Sequence, residues 1–289
     1  MNYRHQFHAG NFADVAKHVV LGCLFEGMQR KEKGFLYLDT HAGRGRYDLV
    51  SAEKGETLPR RPEWPEGFGR ILSAGSFPLP VEKYLSAVKA FDRKAGNLET
   101  HIRFYPGSPW LARTWMRPQD RLALCELQPD EVAFLAGDFS GERSVRVHSM
   151  DGYAAMRAML PSAEKRALVL IDPPFESAVE WTEIVAAVGE GLRRLPGGTF
   201  AVWYPLTERA RVARFASELE RLNPPATWAA EVTVAGEAAG LKMRGCGLVV
   251  VNPPWQLDRE VEPVLQWLAQ TLRQAPGGAG TLRWMVSER

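Results

Sequence analysis

The chain has 289 residues, 45% of them hydrophobic and 24% charged, with a formal net charge of +2. That is the composition of a soluble globular protein with an ample core, and it excludes nucleic-acid binding through a basic body or tail. The three cysteines, Cys23, Cys125 and Cys246, lie far apart without metal-ligand spacing, which points to a reduced, cytoplasmic protein without structural zinc. The polar, His-rich start is not that of a signal peptide, and no apolar run is long enough to span a bilayer. Nothing in the sequence demands more than a monomer.

The first eighteen residues carry three of the six histidines, with Arg4 and Lys17, around Tyr3, Phe7 and Phe12. This density of aromatic and basic groups suits an arm that contacts phosphates and bases. Asn11 or Asp14 can cap a helix whose apolar positions include Val15, Val19, Leu21 and Leu24. Next, Phe35–Leu38 reads as a buried strand running into Asp39-Thr40-His41-Ala42-Gly43-Arg44-Gly45, a Gly-x-Gly turn like that at the first crossover of a nucleotide-binding sheet. A dinucleotide fingerprint would need glycine where Asp48 stands, and a carboxylate there disfavours a pyrophosphate. S-adenosylmethionine carries no phosphate and fits better.

Residues from about 51 to 106 break the sheet rhythm with Pro59, Pro62, Pro65, Pro78 and Pro80. Amphipathic stretches near Gly69–Ser73 and Val81–Ala95 make this a small helical insertion, and the next helix starts near Pro109. The second sheet strand ends at Glu126, where a carboxylate can accept both hydroxyls of a ribose. A third, Ser144–His148, runs into Asp151-Gly152, with Asp151 placed for an adenine amino group and Gly152 for a close turn. The fourth, Ala167–Ile171, stops at Asp172-Pro173-Pro174-Phe175. Polar groups thus stand at four successive strand ends, where open α/β sheets bind ligands. Thr199–Tyr204 is a fifth strand, Ala229–Val234 and Gly247–Val251 a late hairpin-like pair, and Leu282–Val286 an edge strand.

Asp172-Pro173-Pro174-Phe175 has the [DN]-P-P-[YFW] pattern of amino-group methyltransferases. An exocyclic amine conjugated to a purine is a poor nucleophile, because its lone pair is delocalised into the ring. Two acceptors for its N–H groups, the Asp172 carboxylate and the Pro173 carbonyl, draw the nitrogen toward tetrahedral geometry, and Phe175 offers a face for the extruded base. Asn252-Pro253-Pro254-Trp255 matches the same pattern, but too little chain follows it to complete the sheet, so it reads as a structural turn. Pyrimidine-C5 chemistry would need a cysteine near the loop, and none lies near Asp172 in sequence.

Taken together, Tyr3–His18, Leu36–Tyr47, Tyr105–Pro109, Asp172–Pro174, Trp203–Pro205 and Asn252–Trp255 make the chain similar, along nearly its whole length, to the RlmJ (YhiR-type) family, the adenine-N6 methyltransferases of 23S ribosomal RNA. The resemblance implies an α/β, Rossmann-like class I S-adenosylmethionine-dependent methyltransferase: a doubly wound, mostly parallel sheet with a small helical insertion. It implies a single domain, an arm over residues 1–18 and an insertion over about 51–106. It implies cofactor contacts from His18, His41, Ser108, Glu126, Asp151, Gly152 and Asp172, with S-adenosylhomocysteine as product and no metal. Tyr3 would approach the target base, with Lys17 near it. The family's motif often ends in tyrosine; Phe175 keeps the stacking face and loses the hydroxyl. The weak net charge favours protein-poor RNA or an early assembly intermediate as partner, and no membrane. A DNA adenine-N6 methyltransferase, a protein-glutamine methyltransferase and a non-catalytic nucleotide-binding module are the competing readings. The first usually needs a larger recognition domain, the second gains nothing from Arg44, Arg46 and the arm, and the third leaves Phe175 beside Asp172 without purpose.

Overall fold

The computed structural model describes residues 7–50 and 61–288. Asn11 caps the first helix, α1 (Phe12–Gln29), its side chain accepting from the amides of Ala13 and Asp14. Fifteen of the eighteen residues of α1 are buried, including Asp14, Lys17 and His18, so this helix runs through the core and not along its surface. Residues 12–18 of the expected arm are therefore the first turns of a core helix.

Strand β1 (Leu36–Asp39) follows, then a short strand β2 (Arg46–Asp48). A 3-10 turn over Trp64–Glu66 leads into α2 (Phe68–Leu72) and α3 (Leu79–Lys94), the two helices expected of the insertion. Strand β3 (Phe104–Pro106) brings the chain back and pairs antiparallel with β2, a two-stranded ribbon that alternation in three-residue stretches is too short to reveal. The insertion grips the base of the arm. Phe68 N donates to Gly10 O at 2.8 Å, Glu63 N to Phe7 O at 3.1 Å, and Asn11 Nδ2 to Glu63 at 2.9 Å. A Cβ on Gly67 would lie 2.3 Å from the Gly10 carbonyl, so only glycine allows this approach.

Helix α4 (Ser108–Trp115) and strand β4 (Arg121–Glu126) come next, then α5 (Pro129–Asp138) and β5 (Val145–Ser149). They are followed by α6 (Gly152–Met159), β6 (Ala167–Ile171) and α7 (Glu180–Arg194). The chain ends through β7 (Thr199–Leu206), α8 (Arg209–Glu220), β8 (Thr227–Thr233), β9 (Gly245–Val251), α9 (Leu257–Thr271) and β10 (Ala279–Val286).

The eight-stranded sheet has the order β10-β8-β9-β7-β6-β1-β4-β5. Strands β5, β4, β1, β6 and β7 are parallel, whereas β9 runs against both β7 and β8, and β10 against β8. The late pair is thus real but inserted: β9 lies between β7 and β8. Every residue of β6 is buried, as its unbroken Leu-Val-Leu-Ile run requires of a central strand covered on both faces. One face carries α1, α3, α4 and α9 over Tyr37, Leu168 and Leu170; the other carries α6, α7 and α8 over Leu38, Val169 and Ile171. Because β1 lies between β6 and β4, the ends of the first, second and fourth parallel strands come side by side at one sheet edge.

Candidate active site

At that edge each strand delivers a carboxylate. Asp39, fully buried at the end of β1, accepts from the Ser108 hydroxyl at 2.7 Å and the Tyr37 hydroxyl at 2.9 Å. Burial pushes its carboxyl up to about 6, although both hydroxyl donors act to lower it. Thr40 turns the chain out of the sheet, with its hydroxyl on the Leu170 carbonyl at 3.0 Å and 2.8 Å from His41 Nδ1. Burial pushes the His41 imidazole down to about 4, against the nearby charges of Asp172 and Asp151, so it is neutral at neutral pH.

The glycine turn takes left-handed backbone at Gly43 and Gly45. The Gly43 amide donates to Glu126 Oε2 at 2.8 Å, while Oε1 accepts from Leu127 and Gln128 amides at 2.8 Å each. A carboxylate has about four lone-pair sites, so Glu126 braces the turn with three bonds and retains acceptor capacity. An amide turned onto Glu126 is not presented to a pyrophosphate. Asp151 caps α6 through Oδ1, which accepts from Ala154 N at 2.7 Å, and is exposed. A Cβ on Gly152 would sit 2.1 Å from the Thr40 carbonyl, so glycine there lets α6 close on the β1 turn.

Beyond β6, Asp172 Oδ2 accepts from Lys17 Nζ at 2.5 Å, and the same ammonium donates to Asp14 Oδ1 at 2.8 Å. Burial alone would discharge Lys17, but the two carboxylates outweigh it and hold the ammonium well above its ordinary value. Among the described residues, nothing donates to Asp172 Oδ1 or to the Pro173 carbonyl. Phe175 has φ of 50°, a left-handed conformation that a bulky residue rarely adopts, and it seats the ring against Trp181 (centroids 4.7 Å apart) and Trp203 (5.6 Å). An acceptor pair thus stands next to an aromatic wall.

The site residues expected from sequence fall into three groups. Lys17, His41, Ser108, Asp151, Asp172, Pro173 and Phe175 gather at the edge around β1 and β6, with Glu126 and Gly152 against the turn that follows β1. His18 is buried beneath it, with Nδ1 3.1 Å from the Tyr105 hydroxyl, which meets the Tyr84 hydroxyl at 2.7 Å. Tyr3 lies outside the described residues. Sequence reasoning assigned no site role to Asp14, read only as a candidate helix cap, to Asp39, or to Trp181 and Trp203. The spacing of Asp14 three residues before Lys17 on one helix face was the available signal for the first. Asp39 was visible as a strand-end group but not as the partner of Ser108.

The second Pro-Pro turn is elsewhere. Because β9 is antiparallel to β7, with Val251 opposite Phe200, Asn252 emerges at the far edge of the sheet from Asp172. Its amide donates to Ala226 O at 2.7 Å and its Nδ2 to Gly198 O at 3.3 Å. Cys246 comes nearer than its sequence position suggests, close enough to feel the charges of Lys17 and Asp172. It is buried, and burial pushes its thiol up to about 12, so it is no nucleophile at neutral pH.

Four sulfonium-compatible carboxylates along one edge, and no phosphate cradle in the glycine turn, suit a cationic, phosphate-free cofactor. With the strand order, they define a class I S-adenosylmethionine-dependent methyltransferase. The chain belongs to the RlmJ family: the family described as ribosomal RNA large subunit methyltransferase D, RlmJ, matches residues 32–286. A protein called ribosomal RNA large subunit methyltransferase J from Escherichia coli K12 is 39% identical over 288 residues, covering 100% of both chains. Its namesake from Haemophilus influenzae is 38% identical over the same span, again with 100% of both covered. The crystal structure of a Legionella pneumophila protein superposes with a TM-score of 0.83 at 34% identity, covering 96% of this chain and 97% of that one. Among the described residues, no helix is long and apolar enough to cross a membrane.

Proposed function

We propose that this chain transfers the methyl group of S-adenosylmethionine to the N6 amino group of an adenine in 23S ribosomal RNA, leaving S-adenosylhomocysteine and using no metal. The observation that carries this reading is the acceptor pair, Asp172 Oδ1 and the Pro173 carbonyl, beside Phe175. One oxygen of Asp172 is anchored by Lys17, so the carboxylate presents the other in a settled orientation. S-adenosylmethionine supplies an electrophilic methyl on a sulfonium.

Asp39, Glu126 and Asp151 would hold its cationic and hydroxyl groups, with His41, Ser108 and Gly152 shaping the same cleft. His18 supports the cleft from below through Tyr105. The Asp172 oxygen and the Pro173 carbonyl accept the two N6–H groups, which raises electron density on the nitrogen and aligns it for in-line attack. Asp172 need not remove a proton beforehand, since the amine becomes acidic only as the methyl adds; the N6 proton then leaves to solvent by way of the Asp172 carboxylate. Phe175 stacks on the extruded adenine, which Tyr3 would approach. Lys17 approaches the base only through Asp172.

The RNA substrate is protein-poor or an early assembly intermediate, met in the cytoplasm by a monomer. One domain over 1–289 does the work, with the helical insertion near 51–106 holding the base of the arm. The test is methyl transfer from labelled S-adenosylmethionine to total RNA of a strain lacking the gene, followed by nucleoside analysis. Label in N6-methyladenosine of the large ribosomal RNA is expected. Label in another nucleoside overturns the base assignment, and label only in DNA or protein overturns the substrate class.

A further inference from the structure

Asp14 belongs to neither the strand-end series nor the Pro-Pro loop, yet it is a carboxylate only 4% exposed. Its two oxygens have separate tasks. Oδ1 accepts from Lys17 Nζ at 2.8 Å, and Oδ2 from the Gly10 amide at 3.0 Å. Gly10 has φ of 76°, and its carbonyl is held by Phe68 of the insertion. One buried carboxylate therefore ties the point where the arm enters the core to the ammonium that anchors Asp172.

The charges decide what this tie does. A Lys17–Asp172 pair alone would be neutral, and the ammonium would satisfy Asp172 as fully as one cation can. With Asp14 on its other side, Lys17 divides its field between two carboxylates. Asp172 then keeps acceptor strength for an incoming N–H. Asp14 also fixes where Nζ sits, and so which way the Asp172 oxygens point. A role confined to the helix end would need only the backbone amide bond, and α1 already has its cap in Asn11.

We propose that Asp14 is a positioning residue for methyl transfer: through Lys17 it sets the orientation and acceptor strength of Asp172 and references both to the base of the arm. The proposal rests on the reading of Asp172 as the amine acceptor.

The experiment compares wild type, Asp14→Asn and Asp14→Glu in steady-state transfer to the large ribosomal RNA, with calorimetric S-adenosylmethionine binding and thermal unfolding alongside. The amide keeps the acceptor for Gly10 and removes the charge. Asp14→Asn is expected to lower kcat roughly tenfold or more, as loss of one charged hydrogen bond at a buried site does. KM for RNA and cofactor affinity should stay within about twofold, and Asp14→Glu should recover part of the rate. Unchanged kcat in Asp14→Asn overturns the proposal, as does a loss that merely tracks lost folded protein or lost cofactor affinity. Should wild type itself transfer nothing to RNA, the functional reading falls, and Asp14 is then judged by crystal structures. A Lys17 ammonium recentred on Asp172 in Asp14→Asn supports the proposal, and an unmoved Lys17–Asp172 pair overturns it.

Discussion

Asp172 and Asn252 open the same short motif at opposite edges of one sheet. Their strands, β6 and β9, flank β7, one parallel to it and one antiparallel. Chain direction, which no local pattern contains, separates a carboxylate at the edge shared with the ends of β1 and β4 from a turn at the opposite edge. Asp172→Ala is therefore expected to abolish transfer, at least about a hundredfold as for a lost transition-state contact, with the fold retained. Asn252→Ala should retain wild-type kcat and lose stability, by about 1–2 kcal/mol, for the lost Nδ2 bond to Gly198 and for a left-handed backbone (φ 54°) that asparagine tolerates better than alanine. Single-turnover transfer and thermal melts on the two variants check this; a catalytic defect in Asn252→Ala that outlasts correction for folding would contradict it.

Asp39 joins affinity to acidity. With its carboxyl at about 6 against an ordinary 3.8, the folded protein binds a proton more readily than the unfolded chain between those values. Its ionisation thus costs stability as pH rises toward 6. His41, at about 4 against 6.5, acts in the opposite sense: the unfolded chain takes the proton first, so stability falls as pH drops from 6.5 toward 4. The two oppose each other between about pH 4 and 6. Asp39→Asn should leave the His41 slope alone in that window and raise stability at pH 7 by up to about 3 kcal/mol. It should also weaken S-adenosylmethionine binding. In wild type, binding should weaken as pH falls through about 6. Melts from pH 4 to 8 with calorimetry at each pH are the measurement, and a variant no more stable than wild type would count against a buried charge at Asp39.

Gly152→Ala is expected to be costly for a reason confined to one atom. Its Cβ would meet the Thr40 carbonyl at 2.1 Å and the Thr40 Cβ at 2.6 Å. Either α6 backs away or the Thr40–His41 turn shifts, at roughly 1–3 kcal/mol. Cofactor affinity should fall with the melting temperature, since both depend on the same turn. Equal affinity in a destabilised variant would detach Gly152 from the cofactor cleft.

Phe175→Ala should raise KM for RNA roughly tenfold, the worth of a base–aromatic stack, while cofactor affinity stays. Phe175→Tyr keeps the ring and should be near wild type. The check is RNA titration of initial rates with both variants. A kcat loss without a KM change in Phe175→Ala would reassign the ring to packing between Trp181 and Trp203.

Much of this was legible beforehand, because it follows from local chemistry. The all-apolar run of β6 ends where two prolines must end it, and the carboxylates after β1, β4, β5 and β6 stand at strand ends set by hydrophobic pattern. What stayed hidden depends on three dimensions. Strands β2 and β3 are too short to show a period, and their partner lies across the insertion. Lys17 reads as a cation of an arm near the target base, and only the burial of α1 shows its ammonium bonded to Asp172. The rotation that presses Phe175 onto Trp181 and Trp203 is a left-handed backbone at a phenylalanine, which no propensity foretells.

Helix α1 is made first and covered last. Gly27 is packed so closely under Pro254 that a Cβ would lie 2.7 Å from the proline, and Arg30 binds Trp255 O and Glu260. A growing polypeptide has Lys17 and Asp172 long before it has the residues that clamp α1 in place. The Pro-Pro turn at Asn252, set apart from Asp172 in the sheet, thus still reaches it mechanically, because it presses on the helix that carries Lys17.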